Sequence, residues 1–142
     1  MSPGDHKRQW RDYQTATGGR PVKKFLLDLT SEERAAVLAA MKEVELEGLS
    51  AAKHLRGDIY EVKADTADKF FRVLFAAEGS YNQVLLSLEA FSKKSRKTPP
   101  AKLELAARRL RDWRRRGDEA KREAARKASA RGSTPRKPRK KA

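Results

Sequence analysis

Apolar residues recur at two different periods along this chain, and the change of period divides it. From Pro21 to Val44 the spacing is helical. Val22, Phe25, Leu26 and Leu29 share one face of a short first helix, and Val37, Ala40, Met41 and Val44 form the buried stripe of a second. Arg20-Pro21 opens the first helix, with proline where its missing N–H costs nothing. Thr30-Ser31-Glu32-Glu33 opens the second as a capping box, and Gly48 ends it. Between Leu55 and Lys97 the period becomes that of strands. Three runs, Leu55 to Lys63, Phe70 to Phe75 and Val84 to Phe91, are separated by turn-prone residues. Gln9 to Thr15, carrying Trp10 and Tyr13, reads as a short strand ahead of the helices, broken by Thr17-Gly18-Gly19.

The first two runs of the central stretch pair as a hairpin. A turn at Asp65 to Asp68 sets Lys63 opposite Phe70, so that Tyr60, Val62, Phe71, Val73 and Phe75 share the core face. Ile59, Glu61, Lys63, Phe70, Arg72 and Leu74 then share the other face, with Glu61 directly across from Arg72. A slip of one residue would mix the two faces, which favours this register. Val84 to Phe91 is apolar on both faces, as a central strand is, and empties into Lys93-Lys94-Ser95-Arg96-Lys97. Thr98-Pro99 caps a third helix, with Leu103, Ala106, Leu110 and Trp113 as its stripe and Lys102, Arg108, Arg109 and Arg111 opposite. Arg114 to Arg116 ends it. The upstream helices thus cover one face of a sheet, and a basic helix and a tail follow.

Composition changes this picture at the C-terminus. A chain of 142 residues suffices for one domain with a real core, but only 38% of it is hydrophobic while 37% is charged. From Gly117 onward alanines are the only apolar residues, so the core falls within residues 1–116. Residues 117–142 have the composition of a disordered basic tail, with Glu119 to Lys127 extending a helix intermittently. The net charge is +15, of which ten Lys or Arg against three acids put +7 on the tail. A domain this basic adheres to polyanions, with nucleic acid or the ribosome as the leading partner class. A membrane is disfavoured, because no helix pairs a strong apolar face with aromatic anchors outside the core. The chain has no cysteine, which excludes disulfides, thiolate nucleophiles and Cys-based zinc sites. The N-terminal segment lacks an apolar signal core and no apolar run is long enough to span a bilayer, so the cytoplasm is the default location.

Candidate chemistry is narrow. The only histidines are His6 and His54, no group has metal-ligand spacing, and there is no phosphate-binding glycine loop or nucleophile elbow, so neither metal nor cofactor is expected. What the pattern offers is a set of cations at strand ends and on one sheet face: Arg56, Lys63, Arg72, Lys93, Lys94 and Arg96. Such a set neutralises a phosphodiester and the extra charge of its pentacoordinate transition state. RNA supplies its own nucleophile, the 2′-OH, so positioning, electrostatic stabilisation and proton transfer suffice. A lysine among cations has its pKa drawn toward a useful range. Residue pattern alone leaves the plainer readings open. Arg72 facing Glu61 is also a simple ion pair, Lys93 to Lys97 a solvated charge run, His54 a surface residue, and the tail a nonspecific phosphate contact.

At these residues the sequence resembles the RelE/ParE superfamily of bacterial toxins, in its phage Gp49-like or HigB branch. Gly19-Arg20-Pro21-Val22 and Phe25-Leu26 match that branch's Gly-x-Pro-Val before a Phe-Leu helix. Leu55-Arg56-Gly57 with Tyr60-Glu61-Val62-Lys63 matches Leu-x-Gly followed by an aromatic-Glu-Leu-Arg strand, and Phe71-Arg72-Val73-Leu74-Phe75 matches Tyr-Arg-Val-Leu-Tyr. Phe91, Lys93, Lys94, Lys97, Thr98, Pro99, Ala106 and Arg109 match the Phe-x-Lys-Lys-x-x-Lys-Thr-Pro segment and the helix after it. The resemblance runs from about Trp10 to Trp113.

The resemblance implies an α+β, RelE-like fold: a mostly antiparallel four-stranded sheet with an N-terminal helical pair on one face and a C-terminal helix. It implies ribosome-dependent cleavage of mRNA, restrained by a cognate antitoxin, a HigA-like helix-turn-helix protein. The branch's basic active-site positions carry over onto Lys63, Arg72, Lys93 and Lys94. Arg56 and His54 match positions used in some HigB toxins, and Arg96, Lys97, Arg108 and Arg109 extend the set toward RNA and the ribosome. Lys63 stands where the branch usually has arginine, and no tyrosine remains after Tyr81. Proton donation to the leaving 5′ oxygen therefore falls to a lysine, to His54 or to the ribosome. Two other functions fit the same residues: a ParE-like gyrase poison, and a nonenzymatic nucleic-acid-binding protein for which the tail is the best argument.

Overall fold

The computed structural model describes residues 7–93 and 97–133. The chain divides into two units, Met1–Leu110 and Arg111–Ala142. The first is built on a five-stranded mixed sheet: β1 (Gln9–Asp12), β2 (Lys53–Arg56), β3 (Ile59–Asp65), β4 (Phe70–Glu78) and β5 (Val84–Lys93), in the order β1-β5-β4-β3-β2. β1 runs parallel to β5 and every other pairing is antiparallel. Helices α1 (Pro21–Leu27) and α2 (Ser31–Glu47) precede β2, and α3 (Pro100–Ser133) follows β5.

The helical pair forms as its sequence dictates. Thr30 Oγ1 accepts from the Glu33 amide while the Glu33 carboxylate accepts from the Thr30 amide, which completes the capping box. Gly48 closes α2 at φ +87°, a backbone geometry that side-chain-bearing residues avoid. The last carbonyls of α1 point at Arg34 of α2, whose guanidinium donates to the oxygens of Leu26, Leu27 and Leu29. Val22, Val37, Met41 and Val44 then pack with Val62, Phe71, Val73, Phe75 and Leu85 into one core, and Phe25 and Leu26 close over it. Trp10 sits edge-on to Phe75 and donates to the Met41 carbonyl, tying β1 to α2.

The expected four strands become five because the run from Leu55 to Lys63 is two strands. Gly57-Asp58 folds it back, with Gly57 at φ +55°, and the glycine at the first turn position was the signal for it. The hairpin register differs from expectation by two residues. Lys63 lies opposite Arg72 and Asp65 opposite Phe70, so Glu61 faces Leu74 and reaches Arg72 only on the diagonal. The turn sits one residue further along than expected, closed by the Thr66 amide on the Lys69 carbonyl. Moving a turn by one residue shifts pairing by two and preserves which face each side chain takes. The face assignment therefore stands while the opposing partners change. The first strand is shorter than the expected Gln9 to Thr15 and joins the sheet in parallel, a pairing the local pattern does not encode.

The other sheet face buries Ile59, Leu74 and Leu86, and Ala106 and Leu110 of α3 are buried too. Arg109 fastens the helix to this face, donating to the Leu88 carbonyl and to Glu89. In the second unit α3 does not stop at Arg114 to Arg116. It passes Gly117 and continues to Ser133, where a disordered tail was expected from Gly117. Ion pairs one helical turn apart, Arg115 and Arg116 with Asp112, Arg115 with Glu119 and Arg126 with Glu123, support it. Against them a single glycine costs only about 1 kcal/mol of helix propensity. Residues 134–142 lie outside the described residues.

Candidate active site

Strand register alone brings the expected cations together. On the sheet face opposite the α1–α2 core, one row across β3, β4 and β5 reads Lys63, Arg72, Phe91 and the next reads Asp65, Phe70, Lys93. Lys53 of β2 stands beside Glu61 on the same face. Lys63, Arg72 and Lys93 thus come from three strands onto one surface, as expected of the candidate catalytic set. Lys94 and Arg96 lie outside the described residues.

Arg72 is at the centre and is buried, with 2% of its surface exposed. Its Nη1 donates to Asp65 Oδ1 at 2.6 Å and to the carbonyl of Phe71 at 2.7 Å. Its Nε, wholly buried, has no hydrogen-bond partner and lies 3.9 Å from Oε1 of the equally buried Glu61. The other Glu61 oxygen, Oε2, accepts a short hydrogen bond from the Thr98 hydroxyl. Lys93 Nζ in turn donates to Thr98 Oγ1 at 3.4 Å. A polar chain therefore runs from the Lys93 amine through Thr98 to Glu61, with Arg72 and Asp65 behind it.

Lys93 is the group whose ionisation this environment alters. Its pKa is lowered, first by burial, then by the positive charge of Arg72, with Lys63 and Lys53 adding to the effect and Glu61 opposing it. The site can therefore do two things: hold an anion against Lys63, Lys53 and Lys93, and exchange a proton at Lys93.

The remaining expected residues are more scattered. Arg56 shares the face but is paired with Glu104 of α3 at 2.9 Å. His54 pairs opposite Tyr60 with its ring tilted against the Tyr60 ring, so it lies on the other face of the sheet from Lys93, with Nε2 2.7 Å from the Gly57 carbonyl. Lys97 and Arg108 are exposed. Arg109 is enclosed, held by Glu89 and set over the Tyr13 ring, while Lys102 donates to the same carboxylate. Glu89, Thr98 and Asp65 had no place in the expected site. A carboxylate inside the apolar run Val84 to Phe91 was the sequence signal for Glu89. Among the described residues no three His, Asp or Glu gather as metal ligands.

A five-stranded mixed sheet flanked by helices, with a cation cluster on one face, is the frame in which the comparisons with known proteins fall. The chain matches the phage-derived protein Gp49-like family (DUF891) over residues 24–111, and it belongs to that family. The matched span includes every residue of the site from Lys53 to Arg109. Over 109 residues the chain is 37% identical to "Probable endoribonuclease HigB1" of Mycobacterium tuberculosis strain CDC 1551 / Oshkosh, covering 75% of this chain and 85% of that protein. The protein of the same name from strain ATCC 25618 / H37Rv matches with the same figures.

Proposed function

We propose that this chain is the toxin of a type II toxin–antitoxin pair, an endoribonuclease that cuts mRNA on the ribosome without a metal. The observation that carries the reading is the partly desolvated Lys93 amine, held beside the buried Arg72 and the exposed Lys63 on one sheet face. Membership of the Gp49-like family and a relative named as an endoribonuclease support it. In the reaction the 2′-oxygen bonds to phosphorus, its proton passes to water, and the bond from phosphorus to the 5′ oxygen breaks. Lys63 and Lys53 neutralise the phosphoryl oxygens, and Arg72 supplies fixed positive charge beneath them. Lys93 gives its proton to the leaving oxygen. Lys94, Arg96, Lys97, Arg56 and Arg108 take the flanking phosphates and ribosomal RNA. The protein acts in the cytoplasm and is neutralised by a HigA-like helix-turn-helix antitoxin.

Primer extension on transcripts taken after induction tests this directly. The intact chain is expected to give discrete internal cuts, and Lys93→Ala, folded by circular dichroism, to reduce them by about a hundredfold, within the range for loss of a proton donor. Undiminished cutting by Lys93→Ala would remove Lys93 from the reaction. A DNA-damage response with intact transcripts would replace this reading with gyrase poisoning.

A further inference from the structure

Thr98 and Glu61 lie beyond the cations that the proposed reaction uses, yet both are built into the site. Glu61 is a carboxylate on an interior strand, 2% exposed, and its nearest full-strength cation is not in hydrogen-bond contact: Arg72 Nε lies 3.9 Å away with no partner of its own. A buried carboxylate beside an unsatisfied guanidinium N–H would ordinarily close that gap, because each gains a charge-assisted hydrogen bond. Here Glu61 Oε2 accepts from Thr98 Oγ1 while Oε1 stays 3.9 Å from Arg72 Nε, and Thr98 Oγ1 accepts from Lys93. The Thr98 hydroxyl thereby joins the Glu61 carboxylate to the amine.

We infer that Thr98 and Glu61 are positioning residues for Lys93: the hydroxyl fixes the amine at the reacting surface and relays to it the charge of the buried carboxylate. The inference rests on the endoribonuclease reading for its consequence in catalysis, but not for its effect on Lys93 itself. Among the described residues, charged groups on the face that Lys93 shares include Lys53 from β2, Glu61, Lys63 and Asp65 from β3, and Arg72 from β4, with Lys102 of α3 over the neighbouring Phe91 ring. Glu61 is the carboxylate among them that is joined to the amine through a hydroxyl, and Asp65 is committed to Arg72. Without the relay, cations and burial both drive Lys93 toward the neutral form, and a neutral amine has no proton to give. Thr98 keeps the amine charged, and its serine analogue would do the same.

Titration of Lys93 in the full chain by ¹³C NMR of labelled lysines, with the signal assigned through Lys93→Arg, reads this without RNA. Glu61→Gln removes the carboxylate charge and is expected to lower the Lys93 midpoint by about one pH unit, the lower end for loss of a nearby opposite charge. Glu61→Gln alters a buried pair, so Thr98→Val serves as the second variant. In Thr98→Val the Glu61 carboxylate is released to Arg72 Nε, and the midpoint falls in the same direction, while Thr98→Ser restores it. In cleavage assays the same variants lose the alkaline side of the pH–rate profile: the rate begins to fall at a lower pH than in the unmodified chain. A midpoint that is unchanged or raised in either Glu61→Gln or Thr98→Val overturns the relay. A lowered midpoint in a chain that cuts no RNA leaves the relay standing and removes the proposed function instead.

Discussion

Arg72 and Lys93 are diagonal neighbours on the same sheet face, yet a substitution at each asks a different question. Arg72 is buried with Asp65 and Glu61 beside it, so Arg72→Ala leaves the buried Glu61 and the half-exposed Asp65 without their shared cation. Breaking a buried pair from one side costs about 3–5 kcal/mol, a large share of the stability of a domain this size. Urea denaturation of Arg72→Ala is expected to show that loss, and a stability within about 0.5 kcal/mol of the unmodified chain would mean the network is not maintained in solution. Loss of toxicity in Arg72→Ala therefore says little about chemistry, whereas loss in Lys93→Ala says much. The sequence marked Arg72 as a strand cation facing Glu61. It could not reveal the burial, because that depends on α3 and the residues 97–99 closing over the face. Thr98 was visible only as a cap residue before Pro99, and its bond to Glu61 joins positions far apart in the chain.

The elements divide the basic residues of α3 by role. Arg108 and Arg109 are neighbours in sequence and look alike in composition, but a 100° step on the helix sends one to solvent and the other under the sheet. Arg109→Ala leaves Glu89 with Lys102 and the Ala90 amide and removes a donor from the Leu88 carbonyl, and is expected to destabilise the fold by about 1–3 kcal/mol. Arg108→Ala is expected to leave thermal stability unchanged. Equal effects from the two in a melting experiment would contradict the anchoring role. Helices were legible because capping box, proline and glycine all spoke for the same boundaries. Strand faces were legible because their alternation survives a two-residue shift in register. Opposing partners were not, since a turn displaced by one residue leaves the apolar pattern intact. Gly57-Asp58 was hidden by reading Leu55 to Lys63 as one run, and Gly117 misled because one glycine is outweighed by the ion pairs around it.

At the scale of the whole chain, the sheet serves as a partition. Its α1–α2 side holds the larger apolar cluster, and its other side carries the charged network that burial makes chemically useful. The chain has a net charge of +15, which attracts polyanions at long range but carries no selectivity for one phosphodiester over another. In the proposed reaction, selectivity and chemistry fall to the short distances around Lys93. A 2′-oxygen nucleophile leaves its signature on the products, and analysis of RNA ends after cleavage in excess chelator is the most direct measurement. The account predicts a 2′,3′-cyclic phosphate upstream and a free 5′-hydroxyl downstream, formed as fast with chelator as without. A 5′-phosphate, or cutting that stops when divalent ions are removed, would contradict it.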